Sequence, residues 1–159
     1  LYLARHAKSA WPESYDSDYT RPLNNRGKRD APRVAGYLAG QGCRPDLIVS
    51  SGALRARTTA EHLAEGLGYT ADIILADSLY FEGVAGFVSV MADVADSVTQ
   101  LLMVSHNPGV SDFCSDLTGT PTFMPTCAVA HIEGDWDSWA AFSTGGGILR
   151  ELVRPKDLR

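Results

Sequence analysis

Two histidines and several arginines in this chain directly follow short apolar runs. Arg5-His6-Ala7-Lys8 comes straight after Leu1 to Ala4. Ser50-Ser51-Gly52-Ala53-Leu54-Arg55-Ala56-Arg57-Thr58-Thr59 comes after Leu47, Ile48 and Val49. Ser105-His106-Asn107-Pro108-Gly109 comes after Leu101 to Val104. An imidazole is a competent nucleophile near neutral pH, because its unperturbed pKa is about 6.5. Guanidinium groups hold oxyanions through planar, multidentate donors. Together these groups could bind and transfer a phosphoryl group. Each alone says little, since a lone histidine is usually structural and Arg-His is a common dipeptide. The conjunction carries the weight.

The elements that must deliver these residues alternate. Leu1 to Ala4, Leu47 to Val49, Ile73 to Leu75 and Leu101 to Val104 are predicted strands. Between them, Ala31/Val34/Ala35/Leu38, Ala60/Leu63/Ala64/Leu67 and Val84/Phe87/Val88/Met91 have helical spacing, as do Val110/Phe113/Cys114/Leu117 after the fourth. Pro32 implies that the first helix starts near it or bends there. Asn107-Pro108 reads as an N-cap followed by Pro at the first helical position. Ala128 to Ile132, Ser138 to Phe142 and Ile148 to Val153 are predicted as C-terminal strands. Gly145-Gly146-Gly147 reads as a turn between the last two. Residues 11–20 are a polar loop. The expected fold is α/β: a three-layer α/β/α sandwich with a mostly parallel central sheet and antiparallel C-terminal strands, forming one domain over residues 1–159. Ligands in such sheets bind beyond the carboxyl ends of the strands, where helix N-termini add N–H donors. Both histidines and at least two arginines are thereby predicted at one sheet edge.

Bulk properties narrow the function. The 159 residues are 45% hydrophobic and 21% charged, an ordinary globular composition. The net charge of −5 gives no footprint for nucleic acid or an anionic membrane. It also does nothing to attract an anionic substrate, so a phosphate site must be a local basic cluster. Cys43, Cys114 and Cys127 lack metal spacing and read as reduced, buried thiols of a cytoplasmic protein. No metal and no cofactor is expected, and activity should survive a strong chelator. No apolar run reaches membrane-spanning length, and no signal peptide is visible. Because Leu1 already stands within the first strand, native residues are expected before it, which weakens the second point.

The motifs, in order and spacing over nearly the whole chain, resemble the histidine phosphatase superfamily, the phosphoglycerate mutase-like family. They are the strand end Leu3-Ala4-Arg5-His6-Ala7, the helix start Arg55-Ala56-Arg57-Thr58-Thr59 and the late Ser105-His106-Asn107-Pro108-Gly109. Arg5-His6-Ala7-Lys8-Ser9, Arg21-Pro22-Leu23-Asn24-Asn25-Arg26-Gly27, Leu79-Tyr80 and His106-Asn107-Pro108-Gly109 are similar to the SixA-type phosphohistidine phosphatases. These small members lack the insertions that build a lid in larger relatives.

The resemblance implies His6 as the nucleophile, passing through a phosphohistidine enzyme. Arg5 and Arg55 would hold the phosphoryl oxygens, with His106 donating to them. Arg21 is a substrate contact at the rim. Asn107 is a second one, or else only caps its helix. Glu82 falls where larger relatives carry a general acid; it either enters the pocket or is exposed. The implied substrate is a phosphorylated protein bearing phosphohistidine, with a small phosphate ester as the alternative. A non-enzymatic phosphate-binding module is disfavoured, because both histidines and both arginines are present. Arg57 is expected to pair at the surface, and Lys8 to add field at most. His62 and His131 are expected to be structural, and Trp136 and Trp139 to serve packing. The oligomeric state and the partner stay open.

Overall fold

The alternating pattern folds into one six-stranded sheet in the computed structural model, which describes residues 1–11 and 16–158. Residues 12–15 of the predicted polar loop lie outside the described residues. The strands are β1 (Tyr2–Arg5), β2 (Leu47–Ser50), β3 (Ile74–Leu75), β4 (Leu101–Ser105), β5 (Val129–Gly134) and β6 (Gly147–Val153). Their spatial order is β3-β2-β4-β1-β5-β6. The first four of these are parallel, and β5 and β6 run antiparallel. Successive side chains of a strand point to opposite faces, so Tyr2 and Ala4 enter one core while Leu1 and Leu3 enter another. Leu102 and Val104 separate from Leu101 and Met103 in the same way. The two cores make the three-layer α/β/α fold expected from the sequence.

Helices α1 (Asn25–Gly40) and α2 (Leu54–Leu67) cover the first core. Helices α3 (Ser78–Phe81), α4 (Val84–Ala92) and α5 (Gly109–Thr118) cover the second. Helix α1 starts seven residues before Pro32, because Asn24 caps it by accepting the Gly27 N–H at 2.9 Å. Pro32 sits on the exposed face of the helix, where water can replace the hydrogen bond its ring removes. Gly27 is required at that start: a Cβ there would stand 2.2 Å from the Lys8 carbonyl oxygen. The beginning of α1 is thus pressed onto the segment that follows His6.

Besides the early start of α1, three details depart from the sequence reading. Ser138–Phe142 is not a strand; Trp139–Ala141 forms a single 3-10 turn. Its aromatics are consumed by packing, with the Trp139 indole N–H donating to Val98 O at 2.8 Å and Phe142 lying edge-on to Phe113 at 5.7 Å. Helix α5 begins at Gly109, with Pro108 rather than Asn107 in the capping position. Strand β3 is two residues long and exposed at the sheet edge. The glycine run does turn the chain into β6, with Gly145 at φ +76°.

Candidate active site

The sheet order places β4 between β1 and β2, all three parallel. Arg5 pairs with Ser105, and Ser50 with Val104, so the three strands end level with one another. His6 and His106 are the next residues of two of these strands, and Ser51 of the third. The backbone continues the ladder, with His6 N–H donating to Ser105 O at 3.0 Å and Ser51 N–H to Val104 O at 2.9 Å. The two imidazoles therefore face each other, with ring centres 5.1 Å apart and planes tilted by 50°.

His6 is buried. Its Nδ1 lies 2.7 Å from the Ala7 carbonyl oxygen. A carbonyl only accepts, so Nδ1 carries the proton and Nε2 keeps its lone pair. Burial, with further repulsion from His106, Arg55 and Arg5, pushes the imidazole down to about 3. The ring is neutral at physiological pH. His106 Nε2 lies 2.8 Å from Ser51 Oγ, while its buried Nδ1 has no partner among the described residues. Ser51 Oγ also accepts the Ala53 N–H, and its hydroxyl hydrogen is available to Nε2 in the tautomer that carries the ring proton on the unpartnered Nδ1. Burial and the nearby Arg55 also push His106 down to about 3.

The arginines close the other side. Arg5 donates from Nη1 to Met124 O at 3.2 Å, and Arg55, buried at the start of α2, donates to Asp18. The Nε atoms of both are buried and unpartnered among the described residues. Arg5 is lowered from the usual guanidinium range by burial and by the charge of Arg55. Two such cations around two neutral imidazoles, with spare N–H donors, have the charge and the donors to hold a small dianion.

The remaining predicted residues divide. Arg21 is three residues from Asp18 and binds its Oδ1 at 2.9 Å. The Asn107 side chain does not cap α5: its amide donates one hydrogen to Met124 O and its carbonyl accepts from Ser111 Oγ, which leaves the second amide hydrogen for a ligand. Glu82 is exposed at the end of α3, and its side chain does not line the crevice beside His106. Arg57 lies 3.9 Å from Glu61 on the surface, and Lys8 is exposed. His62 stays in α2, and His131 stacks on Tyr2 in the sheet.

Sequence reasoning missed Asp18 and the roles of Tyr80 and Thr59. Tyr80 donates to Asp18 Oδ2 at 2.6 Å and lies edge-on to His106 at 5.3 Å. The Tyr80 bond, joined by Arg55 and Arg21, holds the Asp18 carboxyl below the ordinary carboxylate range. A crevice of about 270 Å³ opens beside His106, between Tyr80, Phe81, Pro108 and Asp112. A larger hollow of about 600 Å³ lies at the opposite end of the sheet, around Leu1, Gln100, His131 and Trp136, away from these groups. Among the described residues no cluster of histidine, cysteine and carboxylate side chains has the makings of a metal site.

Comparison with known proteins gives consistent matches. Residues 1–80 match the model of the histidine phosphatase superfamily, branch 1. An uncharacterized chloroplastic protein of Arabidopsis thaliana is 31% identical over 98% of this chain and 77% of its own. The phosphohistidine phosphatase SixA of Escherichia coli is 28% identical, over 100% of this chain and 96% of its own. The crystal structure of a SixA-type protein from Agrobacterium tumefaciens superposes with a TM-score of 0.81 at 28% identity, covering 97% of this chain and 96% of that one.

Proposed function

The chain belongs to the histidine phosphatase superfamily, and on that footing we propose that it hydrolyses phosphohistidine on another protein, by way of a phosphorylated His6. The Nε2 lone pair of His6 attacks phosphorus, the P–N bond of the substrate breaks, and the substrate imidazole leaves. Arg5 and Arg55 hold the phosphoryl oxygens, and Nδ1–H of His106 donates to them as charge builds. The His6 Nδ1 proton stays on the ring, held by Ala7 O. The phosphorylated imidazole is therefore already protonated at its second nitrogen and ready to leave. Water then attacks phosphorus, inorganic phosphate departs, and His6 returns to its starting state.

The observation that carries the substrate choice concerns acids. An alkyl phosphate ester leaves as an alkoxide and benefits from a general acid. Glu82 is exposed and does not itself line the crevice beside His106, although its neighbours Phe81 and Gly83 do, and the carboxylate beside Arg55, Asp18, is held in its ionised form by Tyr80 and Arg55. A phosphoramidate needs no such help, because the departing imidazole takes its proton from water. The rim points the same way. Phe81 is 72% exposed and packs edge-on to Tyr80 at 4.7 Å, one ring away from His106. An apolar rim beside the catalytic groups suits a folded protein surface better than a polar metabolite.

The three cysteines are buried and free, as expected in a reducing compartment such as the cytoplasm. No helix among the described residues is long and apolar enough to cross a membrane.

The deciding experiment measures phosphate release from a phosphohistidine protein and from a panel of phosphate esters, with His6→Ala as control. Fast, His6-dependent release from the protein is the expected result. Preference for an ester would keep the nucleophile and move the substrate to small molecules. Near wild-type activity in His6→Ala would overturn the mechanism.

A further inference from the structure

We infer that Asp18 is a positioning residue of the phosphoryl pocket, setting the buried Arg55 guanidinium through a carboxylate and a backbone carbonyl at once. The inference rests on the reading that Arg55 holds the phosphoryl group. Arg55 Nη1 donates to the Asp18 backbone oxygen at 2.6 Å, and Nη2 donates to Oδ2 at 3.0 Å. These two contacts fix both the place and the plane of the guanidinium. They leave the buried Nε, together with the second hydrogens of the Nη groups, for an oxyanion. The same carboxylate takes Arg21 Nη2 on Oδ1 at 2.9 Å and the Tyr80 hydroxyl on Oδ2 at 2.6 Å. The Tyr80 ring in turn lies edge-on to His106 and 5.9 Å from the Arg55 guanidinium carbon. One side chain thus orders three groups that converge beside His106.

An exposed ion pair contributes little by itself, and the Asp18 side chain is 52% exposed. This pair differs because its other half is 6% exposed and has a cation for a neighbour. Arg5 and Arg55 repel each other across the pocket, so without a counter-charge the long Arg55 side chain has reason to swing away. The segment carrying Asp18 is itself fastened to the first turn of α2. Leu54 N–H donates to Tyr19 O at 2.8 Å, and the Tyr19 hydroxyl donates to Asp77 at 2.7 Å. A Cβ on Gly52 would stand 2.1 Å from that hydroxyl oxygen, so the glycine lets the segment close down on the helix start. Asp18 is therefore presented from a braced backbone, as a preorganised site requires. It acts through Arg55 and need not touch the substrate.

The test uses inorganic phosphate as the probe, measured by calorimetry and as a competitive inhibitor. The proteins are the wild type, Asp18→Ala, Asp18→Asn, Arg55→Ala and the Asp18→Ala/Arg55→Ala double variant. Asp18→Ala should weaken phosphate binding and lower kcat/KM by about 10- to 100-fold, the scale of a misplaced binding group. Asp18→Asn, which keeps one acceptor oxygen, should fall between. In the Arg55→Ala background the Asp18→Ala change should cost clearly less than in the wild type, because its main route of action is gone and only the contacts to Arg21 and Tyr80 are left to lose. Equal or tighter phosphate binding in both Asp18 variants would overturn the inference and make Asp18 a competitor for the pocket. Fully additive losses in the double variant would also overturn it. A wild type that binds no phosphate would instead bring down the underlying reading of Arg55, a result distinct from either.

Discussion

Thr59 accepts the backbone N–H of Ala7 at 2.9 Å, and its hydroxyl donates to Arg55 O at 2.7 Å. The contact ties the strand end that carries His6 to the helix that carries Arg55. Both residues are buried, so no water can substitute. Thr59→Val keeps the volume and removes the hydroxyl, leaving the Ala7 N–H unpaired. The expected cost is about 1–3 kcal/mol of stability, read from urea unfolding. Turnover should fall as well, because His6 and Arg55, the proposed nucleophile and oxyanion binder, lose their common tether. A variant as stable and active as the wild type would mean that the two elements are registered by packing alone.

Arg55 and Arg57 are two residues apart on α2 and point to different surroundings. Arg55 is buried against Asp18, whereas Arg57 lies on the surface, 3.9 Å from Glu61. Arg55→Ala should lose about 10²-fold or more in kcat/KM, as when an oxyanion donor is removed. Arg57→Ala should stay within about twofold, as expected of an exposed pair. A reversed pattern would transfer the phosphoryl contact to Arg57.

The two histidines of the candidate site make stability depend on pH in a definite direction. His6 and His106 are each pushed down to about 3 by burial first and by neighbouring positive charge second. Unfolded, each returns to about 6.5. The folded state therefore binds fewer protons than the unfolded state between these values. Stability is fully present above about pH 6.5 and is lost as pH falls from there toward 3, at no more than about 1.4 kcal/mol per pH unit for each histidine. Thermal melts of wild type and His6→Asn across pH 7 to 4 check this, and the variant should show the shallower slope. Inorganic phosphate should flatten the wild-type profile, since a dianion between the rings favours their protonated forms. Identical slopes without phosphate would mean that His6 does not enter the fold neutral.

Much of this site was legible in the chain because its main groups follow apolar runs. His6, His106 and the Arg55 segment each come after a strand whose buried residues announce it, and a parallel sheet aligns those strand ends. Thr59 was visible as part of a motif, but its partner, Ala7, belongs to another element, and only the β1–α2 packing brings them together. Asp18 was hidden for a stronger reason. It lies in a polar stretch with no periodicity, and its partners Arg55 and Tyr80 are distant in sequence. Its spacing of three from Arg21 was the one local sign. Ser138–Phe142 was misread because a short apolar run does not reveal whether its side chains alternate or cluster, and the Trp139 indole bonded to Val98 decides for clustering. The start of α1 was set by a cap, Asn24, and a close approach, Gly27 on Lys8, while the periodic apolar residues begin only at Ala31.

Phe81 offers a way to separate a protein substrate from a small one without disturbing the chemistry. It is 72% exposed, packs against the edge of Tyr80 and lines the crevice beside His106. No hydrogen bond to the phosphoryl group depends on it. If the substrate is a side chain on a folded partner, this ring is covered when the partner docks, and its truncation removes apolar contact from the complex. Phe81→Ala should then lower kcat/KM toward a phosphohistidine protein by roughly fivefold or more, the effect of losing an aromatic contact worth about 1 kcal/mol. Most of the change should fall in KM. Hydrolysis of a small aryl phosphate, which reaches only the arginines and histidines, should stay within about twofold. Equal losses on both substrates would mean that Phe81 supports Tyr80 and not a partner. No loss on either would leave the partner to dock elsewhere on the rim and would remove the apolar-rim argument for a protein substrate.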